Sequence, residues 1–457
     1  MRFWSLAGSC LFFFKTFKSS FWLAALEMNS LIKLMTWVAY FIGLYFSIFW
    51  LYALFERYNV FSEEQKSSAL RKPRSFPMVS VIIPAFNAAA TIRECMDSVI
   101  RLDYPRDKLE LLVVNDGSAD ATSAIVSEVI AASKGTSVRL IFQENLGKGA
   151  ALNNALKQCK GEFFACLDSD SFVEPESLKR MICVFEENGP DLAIVTPAMK
   201  VFRPRSILQK FQHVEYVIAL FFNRILSHFD SLYVAPGPFS VYRTSVVMKL
   251  GGFDEHNLTE DQEIGYRMQK FCYGLKHCFD GYVYTVSPAT LTQLFRQRSR
   301  WWRGSLLNFL KYKGLLLNPK YGHFGVFQLP FIMIGYLTVF LVIFFFFYFT
   351  ILPWFGRFHN LYLIGFDFRT ILSSFKVSFD VLRYDLGRAF ILLALLLFGF
   401  ATFFFAHKSA RESVFRNGVL YLLFYFLFYY VLLAFIYLIA VIQLLLGRGN
   451  KWLGKST

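Results

Sequence analysis

The chain has 457 residues, 55% of them hydrophobic and only 18% charged, with 55 phenylalanines. This balance, with a mean hydropathy of +0.41, excludes intrinsic disorder, a fibrous chain and a disulfide miniprotein, and indicates a membrane protein with a sizeable water-exposed domain. A net charge of +15 suits nucleic acid, anionic lipid or an anionic small substrate. The long uncharged runs favour the last two, so no nucleic-acid partner is expected. Seven cysteines, an odd number with no CxxC pair, read as reduced thiols.

In chain order, residues 10–26 are apolar but broken by Lys15 and Lys18. They read as an interfacial helix, a poor signal sequence or an upstream extension, and Met28 is an alternative start. Residues 34–55 carry no charge and, at 1.5 Å per residue, span roughly 33 Å, enough for a bilayer core. Residues 56–76 form a polar linker ending in Arg71-Lys72-Pro73-Arg74.

From Pro77 to Gly304 the pattern becomes that of an α/β domain. VSVIIPAF and LELLVVNDGS read as buried parallel strands, TIRECMDSVI and ATSAIVSEVI as helices, and VRLIFQEN, FFACLDSD and LAIVTPAM as further strands. The alternation predicts a doubly wound sheet with ligands at the carboxyl ends of its strands. Those ends carry Phe86-Asn87, Asn115-Asp116-Gly117-Ser118 and Asp168-Ser169-Asp170. A ring and a carboxylate there suit a base or ribose, and carboxylates at i, i+2 suit a divalent cation such as Mg²⁺ or Mn²⁺ against a diphosphate. The competing reading is ordinary turn chemistry. Lys148, between two glycines at a helix start, either meets phosphate or sugar or is a solvated turn residue.

Thr259-Glu260-Asp261 precedes the helix-like QEIGYRMQKF. One of its carboxylates acts as a general base, or the three residues are a plain acidic helix start capped by Thr259. Gln297-Arg298-Ser299-Arg300-Trp301 offers an arginine for a departing diphosphate and a tryptophan face for a sugar, or forms an interfacial Trp/Arg belt. Seven basic residues and no acid lie between Arg296 and Lys320, which predicts an amphipathic segment over 305–323 on the cytoplasmic leaflet, in contact with membrane lipids. Spans are expected at about 331–352, after a break at Pro330, and at 389–406 and 419–446, with a second amphipathic stripe at 369–388 and a tail at 448–457.

The order PAFN, NDGS, DSD, TED and QRSRW over 77–304, with GPFSVYR at 237–243, resembles the membrane-embedded processive glycosyltransferases of family 2. That group includes the chitooligosaccharide, hyaluronan, poly-N-acetylglucosamine and cellulose synthases. The resemblance implies a GT-A, Rossmann-like nucleotide-sugar-binding domain inserted between transmembrane helices. It gives Phe86 and Asp116 to the uridine, Lys148 to the diphosphate, and Asp168 and Asp170 to nucleotide and metal. It gives Asp261 to base catalysis, and Gln297, Arg300 and Trp301 to the diphosphate and acceptor end. Asn115 departs from the commoner Asp-Asp pair, and the gating-loop pattern of cellulose synthases has no clear match.

The resemblance therefore implies an inverting enzyme that polymerises a UDP-sugar, UDP-N-acetylglucosamine or UDP-glucose, into a β-linked product coupled to export. Single-sugar transfer to a membrane lipid and an inactive export or binding subunit are the alternatives. Because nucleotide sugars are cytosolic, 56–323 and 407–418 are expected inside a multi-pass cell-membrane protein. Parity puts the 353–388 loop outside, although it holds five Lys/Arg against three Asp.

Overall fold

The computed structural model describes residues 32–50, 72–133, 135–363, 386–414 and 424–447, together with 30, 55, 365 and 422. The 10–26 segment, most of the 56–76 linker, the tail and the stripe residues Leu372, Phe375, Phe379 and Leu382 lie outside the described residues. The chain divides into two compact units, residues 1–55 with 344–402, and 56–343 with 403–457.

The second unit is built on one eight-stranded sheet of order β3-β2-β1-β4-β7-β6-β8-β5. Its strands are β1 (Val79–Ala85), β2 (Leu109–Asp116), β3 (Ser137–Gln143), β4 (Phe163–Cys166), β5 (Ser171–Val173), β6 (Leu192–Val201), β7 (Ser240–Arg243) and β8 (Gly274–Thr285). The first four are parallel, and β2 is buried along its whole length, as a strand covered on both faces must be. Val81, Ile83, Leu111 and Val113 pack with Ile92 and Met96 of the helix Ile92–Ile100. The register pairs Ala85 with Asn115 and Ile82 with Cys166, so the carboxyl ends of β1, β2 and β4 share one edge.

The sheet as a whole is mixed. β7 runs antiparallel to β4 and β6, and β5 antiparallel to β8. The reversal is made at Gly237–Phe239: Phe239 is fully buried in the left-handed region (φ 63°) and its N–H donates to the Cys166 carbonyl at 2.6 Å. β5 and β7 are only three and four residues long, and Lys276, His277 and Asp280 interrupt the apolar pattern of β8.

Helices of this unit that matter for the site are Lys148–Leu156, Ile207–His228, Glu260–Lys270 and Leu291–Lys311. The last begins with a capping box between Thr290 and Gln293 and runs unbroken through Gly304, so the expected boundary at 304/305 falls inside a helix. Phe309, Tyr312 and Leu315 are buried against Tyr266 and Phe324, while Leu307, Leu310 and Leu317 stay exposed. Lys311 bonds Asp254 and Glu263.

Among the described residues three helices are long and apolar enough to cross a membrane: Ile32–Trp50, Phe324–Leu363 and Tyr425–Leu445. Leu386–Ser409 is a further apolar helix of 24 residues. No break occurs at Pro330. A π-turn at Phe324–Gln328 precedes Leu329-Pro330, and another at Phe347–Ile351 precedes Leu352-Pro353. Each proline lacks the N–H that would bond residue i−4, here Val326 or Phe349, and the wider turn takes up the mismatch. In the second unit the start of the Tyr425–Leu445 helix packs Tyr425, Tyr429 and Leu433 on Val214 and Leu294. The six described cysteines are all free thiols.

Candidate active site

A cavity of about 480 Å³ opens beside the carboxyl end of β4. It is lined by Lys148, Asp168, Asp170, Asp261, Gln297, Arg300 and Trp301 among others, seven of the nine residues singled out in the sequence.

Lys148 reaches it from a helix start prepared by Gly147, whose φ of 97° suits glycine. The Asp116 carboxylate accepts from the N–H groups of Leu146 (2.9 Å) and Gly147 (3.0 Å) and from Gln143 Nε2 (2.8 Å). Asp116 thus fixes the turn that presents Lys148, and it does not line the cavity. Asn115 is spent locally: its Oδ1 accepts from the Ser118 N–H at 2.9 Å, and its Nδ2 donates to Ser123 Oγ at 2.5 Å. Phe86, at the end of β1, is half-buried and also outside the cavity lining.

The Lys148 ammonium lies 2.5 Å from Asp168 Oδ1 and 3.2 Å from Glu260 Oε1. Burial alone would lower its pKa, but Asp168, Glu260 and Asp261 together raise it above the usual lysine range. Asp168 and Asp170 flank a tight turn in which the Ser171 N–H donates to the Asp168 carbonyl at 3.0 Å. Partial desolvation at the cavity wall, then the Asp168 charge, raises the Asp170 carboxyl to about 6. Two hard oxygen donors that repel each other at the cavity wall fit a hard divalent cation such as Mg²⁺ or Mn²⁺. Among the described residues no group of three or more His, Cys, Asp or Glu side chains is arranged around a common metal position.

Asp261 stands in the first turn of Glu260–Lys270, half-buried, and accepts from the Gln262 N–H at 2.8 Å. Burial and then Glu260 raise its carboxyl to about 6, against the opposing pull of Lys148 and Arg300. Thr259 occupies the cap position but makes no side-chain cap; its hydroxyl accepts from Asn308 Nδ2 at 3.1 Å. Glu263 is spent on Arg267, Lys311 and Tyr312, so Glu260 and Asp261 are the acids of this turn that face the cavity. Gly304 permits the close approach of the QRSRW helix: a Cβ there would lie 2.6 Å from Thr259 Cγ2. Arg300 Nη1 donates to the Leu258 carbonyl at 3.0 Å, which ties the two motifs together.

For several lining residues the motifs did not reveal the role they take. Trp302 stacks on Tyr437 of the Tyr425–Leu445 helix, with centroids 4.2 Å apart and an interplanar angle of 8°. Gly237 passes so close to the ion pair that a Cβ would lie 2.8 Å from Asp168 Oδ2. Glu260 emerges as the second partner of Lys148, a role visible only in three dimensions.

Residues 80–251 match the family described as "Glycosyl transferase family 2". Poly-beta-1,6-N-acetyl-D-glucosamine synthase of Staphylococcus epidermidis is 28% identical over 270 residues, 58% of this chain and 64% of the relative. The protein of the same name from Staphylococcus aureus is 28% identical over 269 residues, with the same coverages. The chain therefore spans less than two thirds of the length of the curated relatives it matches. Among solved structures, a mannosyltransferase from Pyrobaculum calidifontis, in complex with GDP-Man and Mn²⁺, is 23% identical with a TM-score of 0.45, covering 58% of this chain and 74% of that one. S. aureus TarS in complex with UDP-GlcNAc is 22% identical with a TM-score of 0.38, covering 51% and 66%. The matched segment, laid out on a mixed Rossmann-like sheet with its motifs at one edge, is similar to glycosyltransferase family 2 over residues 80–251.

Proposed function

We propose that the protein is an inverting, membrane-bound glycosyltransferase that polymerises a UDP-sugar, UDP-N-acetylglucosamine or UDP-glucose, into a β-linked polysaccharide or oligosaccharide. The observation that carries this reading is one cavity lined by a lysine, two strand-end carboxylates, a separate carboxyl near pKa 6, and an arginine beside a tryptophan. The poly-N-acetylglucosamine synthases among its relatives support a polymeric product.

Asp261 takes the proton from the acceptor hydroxyl. The freed oxygen attacks the anomeric carbon in line, the bond from that carbon to the diphosphate oxygen breaks, and UDP departs with the electron pair. One displacement without an enzyme nucleophile inverts the anomeric centre. Lys148 and Arg300 face the charge that develops on the leaving group. A divalent cation held by Asp168 and Asp170 supplies Lewis-acid stabilisation of that diphosphate when bound. Trp301 offers a ring on which the acceptor sugar rests.

The catalytic unit is read as cytosolic, where nucleotide sugars are found. The turn after Leu386–Ser409 belongs on the same side, since Glu412 bonds His213 (2.6 Å) and Lys200 (3.0 Å) of the catalytic unit. Purified protein incubated with labelled UDP-sugars and Mg²⁺ or Mn²⁺ tests the proposal. A β-linked polymer is expected; a single-sugar glycolipid would overturn polymerisation, and no transfer from any UDP-sugar would overturn the activity.

A further inference from the structure

Arg298 precedes Trp301 by one helical turn and is 3% exposed. Its Nη2 donates to Glu215 Oε2 at 2.9 Å, and its guanidinium carbon lies 4.4 Å from the centroid of the Trp301 ring. Glu215, on the Ile207–His228 helix, also accepts from the Tyr429 hydroxyl at 2.6 Å. Tyr429 closes the π-turn that leads into the C-terminal apolar helix. Four residues from three elements thus form one connected chain that ends on a cavity-lining ring.

A buried ion pair is a poor way to gain stability, because desolvation offsets most of the attraction. Its strength lies in direction. The guanidinium is planar, the bond from its Nη2 to Glu215 limits its rotation, and its flat face matches an aromatic ring. The acid–base and leaving-group roles assigned above leave Glu215, Arg298 and Tyr429 without a part. What this chain of contacts fixes is the plane of Trp301.

We propose that Glu215 and Arg298 are positioning residues that set the Trp301 ring for the acceptor, and that Tyr429 links this setting to the C-terminal apolar helix. This rests on the reading of Trp301 as the acceptor platform. A shift of that apolar helix would then change acceptor placement without touching the donor site.

The test uses the full-length protein and the variants Glu215→Gln, Arg298→Lys and Tyr429→Phe. Three quantities are measured: acceptor-dependent transfer, hydrolysis of the UDP-sugar by water, and UDP affinity by calorimetry. Misplacement of a reacting group costs up to about 100-fold, so transfer in Glu215→Gln and Arg298→Lys is expected to fall by about 10-fold or more. The acceptor KM rises, while UDP affinity and hydrolysis stay at the wild-type level. Tyr429→Phe shows the same split, more weakly. Wild-type transfer in both Glu215→Gln and Arg298→Lys overturns the proposal. So does a parallel loss of UDP affinity, hydrolysis and transfer in all three variants, the mark of a mere structural brace. A wild-type protein that transfers no sugar defeats the glycosyltransferase reading itself, and this inference falls with it.

Discussion

The Lys148 ammonium stands 2.5 Å from Asp168 Oδ1, so the start of one helix is tied to the end of β4. Its second contact, with Glu260 at 3.2 Å, brings the TED turn into the same cluster. Removing the lysine leaves two acidic side chains facing each other with Asp261 nearby. Lys148→Met is expected to lower transfer by about 100-fold, as the loss of one preorganised charge at a developing anion does. UDP affinity, measured by calorimetry, is expected to drop with it. Lys148→Arg, which keeps the charge, is expected to retain part of both.

Glu260 and Asp261 are neighbours with different company. Glu260 is buried and ion-paired with Lys148, whereas Asp261 accepts a hydrogen bond from a backbone N–H. Asp261→Asn is therefore expected to keep UDP binding and lose transfer by about 10²–10⁴-fold, the usual worth of a positioned base. Glu260→Gln is expected to weaken UDP binding through Lys148 as well. The two acids exchange roles if Glu260→Gln loses transfer with UDP affinity intact and Asp261→Asn transfers normally.

The strand-end motifs were legible because β1, β2 and β4 are continuous apolar runs that stop at turn residues, and parallel pairing sets those stops side by side. Asp116 shows the limit of such reading. A carboxylate at a strand end looks like a ligand group, yet its oxygens are taken by two backbone N–H groups and Gln143. The close approach at Gly237 and the Trp302–Tyr437 stack were invisible for a different reason. A close backbone approach and a contact between residues remote in sequence leave no local pattern.

At Gly237 the backbone runs against the Lys148–Asp168 pair. An alanine methyl would lie 2.8 Å from Asp168 Oδ2 and would also meet the lysine ammonium. Gly237→Ala is expected to lower both UDP affinity and transfer by about 10-fold or more, since small displacements of reacting groups are costly. Far-ultraviolet circular dichroism should be unchanged, because the clash is with side chains at the cavity wall. Normal turnover would show that the ion pair moves aside freely.

Partial desolvation at the cavity wall and the Asp168 charge raise the Asp170 carboxyl to about 6, so a divalent cation and a proton compete for it. Asp170→Asn removes a negative ligand. The metal concentration for half-maximal transfer is expected to rise by about 10-fold or more, and maximal transfer to fall. An unchanged metal dependence would take Asp170 out of the ligand set.

The pH dependence separates Asp170 from Asp261, which both titrate near 6. A general base works only when deprotonated, so kcat/KM should rise with pH through about 6 and level off above it. Burial and Glu260 set that position by disfavouring the carboxylate; Lys148 and Arg300 oppose them. Lys148→Met removes one of the opposing charges and should move the rising limb to higher pH. Saturating metal favours the charged form of Asp170 by occupying it, which moves any Asp170 contribution to lower pH. A limb that stays near 6 at saturating Mn²⁺ and vanishes in Asp261→Asn belongs to the base. A limb that slides down as Mn²⁺ is raised belongs to the metal-binding carboxyl, and the proton acceptor must then be sought elsewhere.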